Sequence, residues 1–109
     1  MNIIQNVVSG SGSVAVSGSN NSTATDGISI SGYMGLSVTG DGGISKTGDN
    51  GQAVAGVNGR VFGGDNSILE LKWVDSTGRR RISTAYVGED GILPNVMYRL
   101  DALGNFVKV

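Results

Sequence analysis

Between Gln5 and Asn66 the chain alternates larger and smaller side chains in runs of about four residues. "SVAV", "ISIS", "LSVT" and "QAVA" all have this period of two. The pattern predicts short β-strands, and nothing in the segment has helical spacing. Between the runs lie "GDGG", "GDNG" and "GVNG", whose Gly, Asn and Asp tolerate the positive φ of tight turns. The runs recur every eight residues. Gly27, Gly35, Gly43, Gly51 and Gly59 form one series, and Gly32, Gly40, Gly48, Gly56 and Gly64 follow each of them by five. "QNVVSGSG" and "SVAVSGSN" carry the phase upstream, while "NSTATD" from Asn21 is two residues short, so an irregular turn is expected near Asp26–Gly27. The count is eight units between Gln5 and Asn66, which marks an array.

Eight residues cannot close a coil around a core, but sixteen can, as two facing strands joined by two turns. The expected fold is therefore all-β. It is a thin β-solenoid (a β-helix or β-roll), with a flat up-and-down meander as the rival. The rhythm stops near residue 66. Beyond it, "ILELKWV" and "RISTAYV" flank "DSTG", and "VMYRL" and "NFVKV" flank "DALG", so two hairpins are predicted. Four of the six aromatics, Trp73, Tyr86, Tyr98 and Phe106, lie in this part. Residues 1–66 are expected to form the solenoid and residues 67–109 an antiparallel β-hairpin cap over its end, in one cooperative domain.

Two assignments of the interior are open. One residue set is uniformly small: Ala15/Ser17, Thr23/Thr25, Ser29/Ser31, Ser37/Thr39, Ser45/Thr47 and Ala53/Ala55. The alternating set is Val14/Val16, Ile28/Ile30, Leu36/Val38, Ile44/Lys46, Gln52/Val54 and Arg60/Phe62. With the small set inside, Ile28, Ile30, Leu36, Val38 and Ile44 form an exposed apolar patch of the kind that marks an interface. A homo-oligomer follows, most simply a two-fold dimer, with a trimer as the variant. With the large set inside, the same residues are ordinary core.

Composition narrows the chemistry. The net charge of −1 gives no global field toward nucleic acid or an anionic membrane. There is no cysteine and no histidine, which removes the thiolate nucleophile, the commonest general base and the commonest metal ligands. No apolar run approaches the ~18 residues of a membrane span, and Met1–Ser9 lacks the regions of a signal peptide. An intracellular setting is expected, with no membrane partner.

The remaining candidates are few. Arg79, Arg80 and Arg81, near Trp73 and Tyr86, are the candidate contact for an anion, a nucleotide or a stacked base, against a solvated hairpin. Glu89 and Asp90 form an acidic pair, but "GEDG" reads first as a turn. Asp41, Asp49 and Asp65 recur once per turn, too few carboxylates for a calcium shell. No catalytic residue, metal site or cofactor is expected.

From Gly27 to Val109 the chain resembles a group of uncharacterised phage, prophage and bacterial proteins. Those carry glycine-bounded octapeptides similar to G-T-A-T-A-G-D-x and end in a block similar to "ILELKWVD", "RRRISTAYVGEDGILPN" and "YRLDALGNFVKV" here. This chain departs in having few repeats, with Ile, Leu and Val where the group has Thr. "SVAVSG" and "NSTATDG" also resemble the heads of trimeric autotransporter adhesins, but no secretion signal or anchor accompanies them. The first resemblance implies a phage or mobile-element origin. The expected function is a non-enzymatic protein that binds and blocks a host component in the host cytoplasm, as counter-defence proteins such as anti-CRISPRs do. The alternatives are a structural or accessory virion part and a nucleotide- or nucleic-acid-binding module.

Overall fold

The computed structural model describes residues 6–11, 14–16, 21–25 and 27–109, with side chains from residue 27 onward. The short alternating runs form β1 (Asn6–Ser11), β2 (Val14–Val16), β3 (Asn21–Thr25), β4 (Ile28–Ile30), β5 (Leu36–Thr39), β6 (Ile44–Lys46), β7 (Gln52–Ala55) and β8 (Arg60–Phe62). Two longer strands follow, β9 (Ile68–Val74) and β10 (Arg80–Tyr86), and then two short ones, β11 (Met97–Leu100) and β12 (Phe106–Lys108). The described residues contain no helix. From β1 to β9 successive strands fall in opposite layers. A front sheet has the order β1-β3-β5-β7-β9-β10, and a back sheet has the order β12-β11-β8-β6-β4-β2.

Within each sheet the repeat strands pair in parallel with the strand two further on. Ile28 lies beside Ile44, which lies beside Arg60, and Leu36 lies beside Gln52, which lies beside Ile68, each an offset of 16 residues. The offset is 14 from Val14 to Ile28 and 15 from Asn21 to Leu36, where the sequence is two residues short. The irregular turn expected at Asp26 lies outside the described residues, as do the side chains of Val14, Ala15, Val16, Ser17, Thr23 and Thr25.

The ends of the sheets correct the expected architecture. A thin β-solenoid, β-helix or β-roll, is not what forms. Both sheets are mixed: β10 adds antiparallel to β9, and β11 adds antiparallel to β8 and carries β12. The C-terminal strands thus belong to the same two sheets as the repeats, and β9 joins β7 in parallel across position 66. The physical reason is the unpaired row of N–H and C=O groups at the end of each parallel ladder, which antiparallel strands satisfy directly. The radius of gyration is 13.1 Å, near the ~13 Å of a compact domain of this length. The meander fails as well, because consecutive repeat strands face one another across the interior and do not pair.

The turns explain the glycines. The turns at 32–35, 40–43, 56–59 and 64–67 are closed from first to fourth residue, as in Gly35 N–H to the Gly32 carbonyl (3.1 Å) and Gly59 N–H to that of Gly56 (3.1 Å). The third position has positive φ, and it forms its own eight-residue series of Met34, Gly42, Asn50, Asn58 and Asn66. The two glycine series lie outside that set and serve close approach. A Cβ on Gly51 would overlap the Thr47 hydroxyl and sit 2.7 Å from the Gly35 carbonyl. The turns at 32–35, 40–43 and 48–51 also bond to the turn 16 residues on. Met34 N–H donates to the Asp49 carbonyl (2.9 Å), Gly42 N–H to that of Val57 (2.8 Å) and Asn50 N–H to that of Asp65 (2.8 Å).

The small residue set is the interior. Ser29, Ser31, Ser37, Thr39, Ser45, Thr47, Ala53 and Ala55 are buried, and the alternating large residues are turned outward. The hydroxyls bond across the interior. Ser37 Oγ donates to the Lys46 carbonyl (2.5 Å) and lies 2.9 Å from Ser31 Oγ, Ser45 Oγ donates to the Val54 carbonyl (2.6 Å), and Thr39 and Ser45 share a bond of 2.9 Å. Toward β9 the filling becomes hydrocarbon: Val61, Leu69, Leu71, Ala85, Val87 and Tyr98 form one cluster, with Ile92, Val96, Leu100 and Phe106 against it. Tyr98 meets Phe106 edge to face at 6.5 Å, and its hydroxyl accepts from Leu93 N–H (2.8 Å).

This arrangement makes an inward enlargement costly and an outward polar change cheap. Ser45→Leu is expected to destabilise by about 1–3 kcal/mol or more through overpacking. Ile44→Ser, on the adjacent outer position, should cost no more than about 1 kcal/mol. Urea denaturation of the two variants measures the difference.

Candidate functional site

The five residues Ile28, Ile30, Leu36, Val38 and Ile44 all point outward, but they do not form one patch. Ile28, Ile30 and Ile44 lie on the outer face of the back sheet, and Leu36 and Val38 on that of the front sheet. Each group is continued by its own ladder. On the back sheet Ile30 is followed by Lys46 and Phe62. Lys46 Nζ lies 5.4 Å from the Phe62 ring centroid, a cation–π contact that accounts for a lysine in an apolar row. On the front sheet Leu36 is followed by Gln52, Ile68 and Tyr86, and Val38 by Val54, Glu70 and Thr84. This face carries three large exposed apolar side chains, Val74 (45%), Ile82 (59%) and Tyr86 (50%), beside the half-buried Leu36, Val38, Val54 and Ile68.

The three consecutive arginines also separate. Strand alternation sends Arg80 to the outer face with Ile82 and Arg81, still exposed, to the opposite face, beside Trp73 in the register. Arg79 closes the hairpin turn. Arg81 Nε lies 2.8 Å from Asp75 Oδ2, the one ion pair among the described residues. Asp75 is the organiser of this turn. Its Oδ1 accepts from Thr77 Oγ1 (2.5 Å), Thr77 N–H (2.9 Å) and Arg79 N–H (3.0 Å). These bonds, with that of Thr77 Oγ1 first and the Arg81 guanidinium next, hold its carboxyl far below the usual carboxylate range. "DALGN" repeats the device. Asp101 Oδ1 accepts from Asn105 N–H and Leu103 N–H, both at 2.9 Å, and the Asn105 bond leads in lowering its pKa.

Trp73 faces this second turn. A Cβ on Gly104 would run into the indole, so the glycine is where the backbone seats on the ring. Ser83 Oγ donates to the Gly104 carbonyl (2.7 Å) and locks the two hairpins together. Trp73 Nε1 is buried without an acceptor among the described residues. Beside it opens a cleft of about 310 Å³, with Trp73, Leu71, Arg60, Lys72, Arg99 and Asp101 in its wall. Arg60, Lys72 and Arg99 have no carboxylate within ion-pair distance among the described residues. Its volume is at the lower end of small-ligand sites, about 300–1,000 Å³. The sequence reading missed these three cations because they come from a turn exit, a strand and a hairpin. The one signal was Arg60 in an otherwise apolar row.

The other candidates are structural in their bonding. Asp41 Oδ1 accepts from Val57 N–H and Asp49 Oδ1 from Asp65 N–H, both at 2.9 Å, so these aspartates stitch successive turns. Glu89 and Asp90 are exposed in the turn after β10, where Asp90 has a φ of 52°. Among the described residues no three acidic groups gather as a metal site, and no helix is long and apolar enough to cross a membrane. Comparison of the chain with protein-family models, with curated proteins and with solved structures finds no match.

The depressed carboxyl of Asp75 sets a pH dependence. A group whose folded pKa lies below its unfolded value stabilises fully above the unfolded value, about 3.9. That contribution is lost as the pH falls from there through the folded value. Asp75→Asn is expected to lower the urea midpoint at neutral pH and to flatten the acid limb below about pH 4. Midpoints taken across pH 2–7 test this: an acid limb as steep as that of the native chain would exclude the role of Asp75.

Proposed function

We propose that the protein is a non-enzymatic binding protein of phage origin that occludes a host protein in the host cytoplasm. Its contact face is the outer surface of β5, β7, β9 and β10. The observation behind this reading is the apolar stretch there, in which Val74, Ile82 and Tyr86 are exposed beside the ladder of Leu36, Val38, Val54 and Ile68. Apolar surface of this kind, with charged residues among it, is typical of protein contacts. The residues beneath it are held in one hydrogen-bonded ladder, which limits the backbone ordering that docking requires. The likeness of "YVGEDGILPN" and "YRLDALGNFV" to phage-borne terminal blocks supports the origin.

The paired change Leu36→Asp with Val38→Asp tests the face. Cross-linked complexes from host lysate, identified by mass spectrometry, should contain a defined host protein with the native chain. They should lose it with this variant and keep it with Ile30→Asp on the opposite sheet. Equal loss from both variants rejects the assigned face, and capture of virion proteins instead favours an accessory structural part of the particle.

A second reading, a nucleotide-binding module, draws on the cleft at Trp73. Arg60, Lys72 and Arg99 outnumber Asp101 in the cleft wall beside an indole, a combination suited to a phosphate-bearing aromatic ligand. Trp73 is the single tryptophan, so its emission reports on the cleft alone. Titration with ATP should give a saturable change that the Arg60→Ala, Arg99→Ala double variant abolishes. No change at millimolar ATP removes this reading.

A further inference from the structure

Among the described residues β10 is the longest strand with a free edge, at seven residues. Its hydrogen-bonding phase is fixed by the bonds that bracket the hairpin. Asp75 N–H donates to the Arg79 carbonyl (2.9 Å) and Val87 N–H to that of Ser67 (3.0 Å). With this register, Arg81, Ser83 and Ala85 bond to β9, and the backbone groups of Arg80, Ile82 and Thr84 and the N–H of Tyr86 face away from it. The Tyr86 carbonyl already accepts from Glu89 N–H (3.1 Å). The edge is also polar in charge along its length. Arg79, Arg80 and Arg81 stand at its start, and Glu89 and Asp90 stand just beyond its end.

We propose that β10 pairs antiparallel with β10 of a second copy of this chain, about a two-fold axis at Ser83. The two front sheets then become one continuous sheet by strand addition. Charge selects this orientation. Antiparallel pairing brings the arginine end of each copy toward the acidic turn of the other, whereas parallel pairing stacks arginine on arginine. In this register Ile82 faces Thr84 of the second copy. Arg80 faces Tyr86 of the second copy, where a guanidinium meets a half-exposed phenol ring. The contact is isologous and closes on itself, which protects the edge from open-ended addition. It does not depend on the reading proposed above, because it is carried by the backbone edge of the front sheet, although Ile82 and Tyr86 belong to both surfaces.

Light scattering at micromolar concentration should give twice the chain mass for the native protein. Ile82→Pro removes only an outward N–H, so it should keep the native circular dichroism and run at the single-chain mass. Ser83 would lie opposite Ser83 of the second copy in a non-hydrogen-bonded pair, with Cα atoms about 4.5 Å apart, within disulfide reach. The chain has no cysteine, so Ser83→Cys introduces a single thiol. It should oxidise to a covalent dimer, while Thr77→Cys in the hairpin turn should not. A native monomer overturns the proposal. So does a dimer that survives Ile82→Pro and leaves Ser83→Cys unlinked.

Discussion

The separation between the two sheets governs this molecule. Every inward position from Ser29 to Ala55 holds Ser, Thr or Ala, so the facing backbones come close enough for hydroxyls to reach carbonyls across the gap. That closeness dictates the rest. The crossings between sheets leave no space for a Cβ, hence glycine at positions such as Gly51. The bulky apolar residues of each strand have no place inside and are displaced to both outer faces. An interior of hydroxyls also yields little hydrophobic stabilisation, because buried polar groups mainly recover what their desolvation costs. The stabilising apolar burial is concentrated instead around Leu69, Leu71, Val61 and Tyr98.

The candidate sites then lie on surfaces. Packing leaves outer rows of Leu, Val and Ile that a conventional sandwich would have covered. The same ladder geometry that exposes them also decides which residues become neighbours: Leu36 stands beside Gln52 and Ile68, not beside Ile28 or Ile44. Around Trp73 the two D-x-x-G-x hairpins meet through Ser83 and Gly104. Their self-bonded aspartates are committed to turn geometry, which leaves the cations of the neighbouring cleft without a paired carboxylate.

Much of the local structure was legible in the sequence, because period two and period eight are both written in side-chain size. The strands, the turns and the membership of the small set could be read directly. Whether that set faced inward could not, since Lys46, Gln52 and Arg60 weighed against one assignment and the size of Ile28 and Leu36 against the other. The grouping of sites failed for a geometric reason. Ile28, Leu36 and Ile44 are regular neighbours along the chain, but alternate units cross to the opposite sheet. Arg79, Arg80 and Arg81 are adjacent in sequence, but a strand sends Arg80 and Arg81 to opposite faces. The continuity of the C-terminal strands with the repeat sheets was hidden too, because the loss of the glycine rhythm at residue 66 reads as a boundary while the hydrogen-bond ladder runs through it. The positive φ at Met34 had no local signal, because the other members of its series are Gly or Asn.

The drift of the interior from hydroxyl to hydrocarbon runs from the N-terminal side toward the C-terminal side, and ribosomes deliver the chain in that direction. The hydroxyl-lined strands emerge first with nothing apolar to bury against one another, and each lacks a template edge. The hydrocarbon cluster that offers such an edge is built from residues that emerge later. The expected order of assembly is therefore opposite to synthesis, with the late strands condensing first and the earlier ones docking onto them.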